Sequence, residues 1–190
     1  KNLNGDQKTQ ILEHVAIKNI IPKIITSSES LLGVLPVLNQ DQRNTICETI
    51  KDVLPSLIKN FSDFASALPY FDDQKRNVFF ESMSKKFTTL ITSFDQYQDT
   101  LGLLTSDKIP VLFDSMKTKL PEMIHSAHEF STTLKCLTDE QRIKFFNSMK
   151  NTLTGDHALD EEQKNKLVND SLDFKEALRF LPDEQKGELL

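Results

Sequence analysis

A phrase of six residues, Leu137-Thr138-Asp139-Glu140-Gln141-Arg142, recurs along this chain with few changes. Close copies span residues 3–8 (LNGDQK), 38–43 (LNQDQR) and 181–186 (LPDEQK), and looser copies begin at residues 71 (FDDQKR) and 104 (LTSDK). Successive copies start 35, 33, 33, 33 and 44 residues apart. A nearly constant step of this length is typical of an array of repeated supersecondary units.

Each copy of the phrase has the composition of a helix start. N-cap residue types occupy its second position, and they are Asn4, Asn39, Asp72, Thr105 and Thr138. Glutamine follows three residues later at Gln42 and Gln141, which is the spacing of a capping box. We therefore predict helix caps. A binding motif built on the Asp-Gln-Arg cluster is the alternative, and repetition at every helix start favours capping.

A first apolar stripe follows each copy in the same 33-residue register. It occupies three columns of Ile, Leu, Phe, Met and one Cys: 46/79/112/145, 47/80/113/146 and 50/83/116/149. Spacing of i, i+1 and i+4 marks one face of a helix, which we call helix A. Ile11, Leu12 and Val15 take these places in the first copy. Cys47 shares its column with phenylalanines, so we expect a small buried residue rather than a nucleophile.

A second apolar stripe defines helix B. Its four columns are 24/57/90/123, 25/58/91/124, 31/64/97/130 and 35/68/101/134, with Ile throughout the second column and Leu throughout the fourth. Pro22, Pro55 and Pro121 stand just before this stripe. Proline disrupts a helix interior and suits the first turn, so it is expected to separate helix A from helix B and to begin helix B.

The pattern predicts an all-α protein, an α-solenoid of stacked antiparallel helix pairs with about 33 residues per repeat. The predicted pairs span about 4–35, 39–68, 72–101, 105–134 and 138–178, and a further helix starts within 182–190. We expect one repeat domain over residues 1–190, cut from a longer protein. The last step exceeds the others by 11 residues, which predicts an insertion at 155–165, a loop at 154–159 and a long helix at 160–178.

Composition excludes several function classes. The 190 residues include 23 Lys and Arg against 28 Asp and Glu, a net charge of −5 that disfavours binding to a phosphate backbone. The longest nearly apolar run, Leu31–Leu38, is far too short to span a membrane, and no signal segment opens the chain. Two distant cysteines fit a reducing compartment. We expect a cytoplasmic protein with neither nucleic acid nor membrane as a partner.

Catalytic and metal-binding motifs are not found in the sequence. It contains no Gly-rich phosphate loop, no HExxH pair and no GxSxG elbow. His125 and His128 have the spacing of a helical metal pair. Their columns hold different polar residues in the other copies, as a solvated face would. We therefore expect no enzyme activity, no cofactor and no metal.

Two likenesses to known proteins can be drawn. The period and the helix-pair plan resemble tetratricopeptide repeats, although the chain has no Trp and places Phe and Met in the interior. The Lys-, Asn- and Phe-rich phrases of the form Leu-x-x-Leu-[Thr/Pro]-Asp-Glu-Gln-[Arg/Lys] resemble helical segments of large secreted effectors of intracellular bacteria, the Legionella type. This second resemblance implies delivery into the host cytosol and a host protein as partner.

The expected function is a non-catalytic scaffold for protein–protein interaction. Solenoids offer long surfaces, and the helix B columns whose polar residues differ between copies are the candidate binding residues: Lys59, Thr92 and His125, then Asp63, Gln96 and Glu129. The alternative is a regulatory or substrate-positioning accessory domain of a multidomain enzyme whose catalytic part lies outside this chain. A lipid-surface module is disfavoured, because Ser84 interrupts the column formed by Lys51, Lys117 and Lys150.

Overall fold

A computed structural model describes residues 4–13, 15–154, 175–176 and 178–186. Over these ranges the chain is mostly helical and has no strand, which confirms the all-α class. Backbone contacts divide the chain into two compact units. Unit 1 comprises Lys1–Ile91 and Gln98–Thr105, and unit 2 comprises Thr92–Tyr97 and Ser106–Leu190.

The helices of unit 1 are α1 Gly5–Glu13, α2 Val15–Ile24, α3 Ser28–Val34, α4 Gln40–Ile50, α5 Leu54–Leu57, α6 Phe61–Ala67, α7 Asp73–Met83 and α8 Phe87–Leu90. Short 3-10 turns follow α3, α6 and α7. Helix α9, Phe94–Leu103, has residues in each unit. Unit 2 continues with a 3-10 turn at Ser106–Lys108, α10 Ile109–Met116, α11 Leu120–Met123, α12 Ala127–Cys136, α13 Asp139–Thr154 and a short helix Asp183–Lys186.

The predicted helix caps are present at Asn4, Asn39, Asp72 and Thr138. The prediction for Thr105 is wrong, because its hydroxyl donates to Asn77 Oδ1 at 3.1 Å and the residues that follow it form a 3-10 turn. The Asn39 side chain accepts the backbone N–H of Gln42 at 3.0 Å, and Gln42 Oε1 accepts the N–H of Asn39 at 3.2 Å. Thr138 and Gln141 form the same reciprocal pair at 3.3 and 3.4 Å. Asp72 caps α7. These bonds satisfy backbone donors that a helix start otherwise leaves without a partner.

The glutamine of the phrase also joins neighbouring segments. Gln42 Nε2 donates to the carbonyl oxygen of Gly5 at 3.1 Å, and Gln141 Nε2 donates to the carbonyl oxygen of Pro110 at 3.2 Å. Both glutamines are buried, with 1% and 6% of their surface exposed. A buried amide requires partners for its polar atoms, and this arrangement supplies them on both sides. The phrase therefore holds two segments together as well as capping a helix.

The core columns are buried as predicted in the four later copies, except for Leu101 of helix B, which is partly exposed. All twelve residues of the helix A columns in the four later copies are at most 3% exposed. In unit 1 the Phe80 and Phe87 rings stack with centroids 4.6 Å apart. In unit 2 Phe145 packs against Phe113 and Phe130, with centroids 6.0 and 5.5 Å apart. Aromatic side chains thus supply much of the apolar surface that each unit buries.

The predicted continuous helix B is wrong, because the chain breaks at the isoleucine column. Ile58, Ile91 and Ile124 have extended backbone, with ψ of 113°, 108° and 116°. The next helix begins three residues later, with Asn60 as N-cap of α6 and Ser126 as N-cap of α12. A β-branched residue fits extended backbone, and the cap residue favours a new helix start. Pro55 and Pro121 therefore stand in the first turn of helices of only four residues.

The first copy departs from the predicted register. Helix α2 runs through Pro22 to Ile24, so the predicted break before Pro22 is wrong. Ile21 and Ile25, four residues apart, are buried, whereas Ile24 is 66% exposed. The prediction that Ile24 and Ile11 belong to the core is therefore also wrong, since Ile11 is 41% exposed. The side chains of Leu12 and Val15 lie outside those described.

The predicted insertion falls almost entirely on residues outside the described ranges. This applies to 155–165, to the loop at 154–159 apart from Thr154, which ends α13, and to most of the helix at 160–178. The further helix predicted within 182–190 is present as Asp183–Lys186. Among the described residues, no helix combines the length and the apolar content needed to cross a membrane.

Candidate functional site

The predicted binding residues occupy one kind of local position. Lys59, Thr92 and His125 each follow the extended isoleucine directly, and each is exposed. The second column lies in the first turn of the next helix and comprises Asp63, Gln96 and Glu129. Both columns therefore stand at the break that divides helix B.

The residues of the second column, Asp63, Gln96 and Glu129, form local hydrogen bonds at the break. Gln96 Oε1 accepts the backbone N–H of Thr92 at 2.8 Å, and Glu129 Oε2 accepts that of His125 at 2.6 Å. The N–H of Asp63 donates to Asn60 Oδ1 at 2.9 Å. These bonds close the turn between the extended isoleucine and the new helix. Gln96 and Glu129 consequently have a structural role at the break, which the sequence pattern did not reveal.

Three of the predicted residues line one open cavity of about 290 Å³ within unit 2. They are Thr92, His125 and Glu129. Gln96 also belongs to unit 2 but does not line the cavity, and Lys59 and Asp63 belong to unit 1.

The cavity has an apolar floor and an acidic rim. Phe94 and Met123 line it and are only 5% and 6% exposed. The acidic residues Asp95, Glu122 and Glu129 also line it, and Asp95 and Glu122 are exposed. The apolar columns of the sequence do not group these residues. The 33-residue period could have grouped them, because segments 92–95 and 122–129 lie about one period apart in the chain.

A polar groove of about 340 Å³ lies in unit 1 beside α4 and α7. Glu48 Oε1 lies 2.6 Å from Lys75 Nζ, and the hydrogen bond from Lys75 holds the pKa of Glu48 below its usual value. The backbone N–H of Lys75 and the amide of Asn44 lower the pKa of Asp72. The charged groups of this groove thus bind one another and join α4 to α7.

The cysteines are not activated nucleophiles. Cys47 is buried, as predicted, and burial raises its pKa to about 12. Burial also raises the pKa of Cys136, which is partly exposed. Both side chains are therefore protonated thiols near neutral pH, and thiolate is the reactive form.

Among the described residues, no group of three His, Cys, Asp or Glu side chains is placed to hold a metal ion. Comparison of the chain with protein-family models, curated proteins and solved structures found no match. Function is therefore inferred from the residues themselves.

Proposed function

We propose that this chain is a stack of helical repeats that acts as a non-catalytic scaffold for protein binding. The main supporting observation is the position of the six candidate residues. They stand at equivalent places beside the helix B break in three copies, where side-chain identity differs between copies, while the residue before the break is a buried isoleucine in all three.

Backbone hydrogen bonds support the repeated unit. The first residue of the phrase donates its N–H to the carbonyl three residues earlier at five places along the chain: Leu38 to Leu35, Phe71 to Leu68, Leu104 to Leu101, Leu137 to Leu134 and Leu181 to Leu178. Their lengths are 3.2–3.4 Å. The same local geometry thus recurs at the five copies whose first residue the structure describes, as expected of a solenoid.

The phrase arginines support the predicted insertion in the last repeat. Arg43 Nε donates to the carbonyl of Leu35 at 2.8 Å, and its guanidinium lies 5.2 Å from the Tyr70 ring centroid. Arg142 Nε donates to the carbonyl of Leu134 at 2.9 Å and lies 5.1 Å from the Phe180 ring. The ring follows its arginine by 27 residues in the first case and by 38 in the second. The difference equals the 11-residue excess in the last step.

The surface at the helix B breaks suits specific protein recognition. Similar backbone positions present a cation at Lys59, a hydroxyl at Thr92 and an imidazole at His125. Binding residues commonly lie in such irregular segments on a rigid scaffold. The resemblance of the phrases to effectors of intracellular bacteria extends the proposal to a host protein as partner, met in the host cytosol.

Affinity capture tests the proposal. The chain is immobilised and exposed to eukaryotic lysate beside bacterial lysate, and retained proteins are identified by mass spectrometry. We expect one stoichiometric eukaryotic protein, whose retention falls in the triple variant Lys59→Ala, Thr92→Ala, His125→Ala. The matched control replaces three exposed helix A residues, Gln74→Ala, Asp114→Ala and Asn147→Ala. Retention of no stoichiometric protein, or equal loss in both variants, would contradict the proposal.

A further inference from the structure

We propose that the unit 2 cavity binds an arginine side chain of the partner protein. The inference rests on the proposed scaffold function and names the chemistry that this one site recognises.

The size of the cavity suits one long side chain. Its volume of about 290 Å³ lies at the lower limit of small-molecule sites, which run to about 300–1,000 Å³. Phe94 and Met123 form the nearly buried floor, and Thr92 and His125 stand at its edge. An arginine has an apolar stem that can cover such a floor and a planar head that stays near water. A guanidinium also packs well against aromatic side chains.

The charge around the cavity favours a cation. Asp95, Glu122 and Glu129 line it, and none of the described residues that line it is a lysine or an arginine. Glu129 uses Oε2 for the N–H of His125, so Oε1 is left for a second donor. Guanidinium groups pair with carboxylates through two parallel hydrogen bonds, a geometry that an ammonium group cannot match.

The net charge of unit 2 also favours a cationic ligand. The segments assigned to unit 2 contain 12 Lys and Arg against 17 Asp and Glu, a net charge of −5. The segments of unit 1 contain 11 of each sign and have no net charge. The whole negative excess of the chain therefore belongs to the unit that holds the cavity. Such a field raises the association rate of a basic partner.

The three carboxylates are not required by the repeat. One period earlier, the positions of Asp95, Glu122 and Glu129 hold Ser62, Thr89 and Gln96. Gln96 makes the same backbone hydrogen bond that Glu129 makes, so the break does not need a charge at this position. Asp95 belongs to the copy before that of Glu122 and Glu129, so the acidic rim is specific to this combination of positions from two copies, which is where a partner-specific contact is expected.

A methyl NMR titration of the full chain tests the inference. The four methionines are labelled at their methyl carbons, and of these Met123 alone lines the cavity. Its signal is assigned by its loss in Met123→Leu. The probes are acetyl-Gly-Arg-Gly-amide and the same peptide with citrulline, a neutral isostere of arginine. We expect a saturable shift of the Met123 signal with the arginine peptide, and binding weaker by about tenfold with citrulline.

Two variants with equal change in net charge separate the site from the general field. Neutralisation of the rim uses Asp95→Asn, Glu122→Gln and Glu129→Gln, and the last change keeps the backbone bond that Gln96 shows to be possible. The control neutralises Asp107→Asn, Asp114→Asn and Glu140→Gln elsewhere in unit 2. We expect the rim variant to lose the Met123 shift and the control variant to keep it.

Three results would overturn the inference: no Met123 shift up to the solubility limit of the peptide, equal binding of the citrulline peptide, or an unchanged shift in the rim variant. If any of these occurs while lysate capture still retains a partner, the arginine site alone is rejected. If capture also retains nothing, the scaffold function is rejected with it.

Discussion

Gln42 Nε2 lies 3.1 Å from the carbonyl oxygen of Gly5, which stands 37 residues earlier in the chain. The other end of the same amide accepts the N–H of Asn39. One buried side chain thus caps α4 and holds it to α1. Gln141 repeats the arrangement with Thr138 and Pro110. This bond explains why a polar residue is buried at the same place in two copies.

Removal of this amide should destabilise unit 1. In Gln42→Leu, the Gly5 carbonyl and the Asn39 N–H lose their hydrogen bonds to the amide, and we expect a loss of about 1–3 kcal/mol in the free energy of unfolding. Urea denaturation followed by circular dichroism measures it. The control Gln74→Ala, at an exposed position of α7, should change the value by no more than about 0.5 kcal/mol. Equal free energies of unfolding for the two variants would show that the hydrogen bonds of the Gln42 amide contribute nothing to stability.

The break in helix B should depend on its cap residue. Ser126 Oγ accepts the N–H of Glu129 at 3.2 Å, so Ser126→Ala should lower stability by about 1 kcal/mol. Ser126→Asn is the matched control, because Asn60 caps α6 at the equivalent place, and it should remain near the parent value. Thermal unfolding measures both variants. A larger loss of stability in Ser126→Asn than in Ser126→Ala would contradict the capping role of Ser126.

The two thiols should differ in reactivity. Cys47 is fully buried with a pKa of about 12, so alkylation there requires opening of the structure. Cys136 is partly exposed and should react first. Iodoacetamide treatment at neutral pH, followed by peptide mass spectrometry, measures the order, and the same treatment in denaturant should remove the difference. Faster labelling of Cys47 in the folded chain would contradict its position in the core.

Acid should remove the contribution of the Glu48–Lys75 pair. The pKa of Glu48 is lower in the folded chain than in the unfolded one, so the pair stabilises the fold above the unfolded pKa. This contribution disappears as pH falls through the folded pKa. Because Glu48 is more than one-third exposed, Glu48→Gln should cost at most about 1 kcal/mol at neutral pH. The difference from the parent in urea unfolding should vanish in acid, and a pH-independent difference would exclude the pair as its source.

The sequence predicted those features that depend on local chemistry. Caps at Asn39 and Thr138 follow from residue type and a spacing of three, and the buried columns follow from helical periodicity. The break after Ile58 was missed because one apolar stripe continues across it. The cap types at Asn60 and Ser126 were present, but they lie inside a pattern that one helix would also produce.

Features that join distant residues could not be predicted in the same way. The contact of Gln42 with Gly5 and the cavity lined by Asp95 and Glu122 depend on how segments about one period apart pack together. Helix α2 continues through Pro22, although proline usually ends or kinks a helix, so the first copy differs from the others. The proposed arginine site depends on such packing, so the sequence pattern alone does not predict it.

The most direct test of the scaffold is amide hydrogen exchange on the chain with and without the partner obtained by lysate capture. We predict that the partner slows exchange in segments 59–63, 92–96 and 125–129, which contain the six candidate residues. Peptides from α4, α7 and α10 serve as internal references and should change little. Protection confined to these helix A segments, with none at the three helix B breaks, would contradict the account.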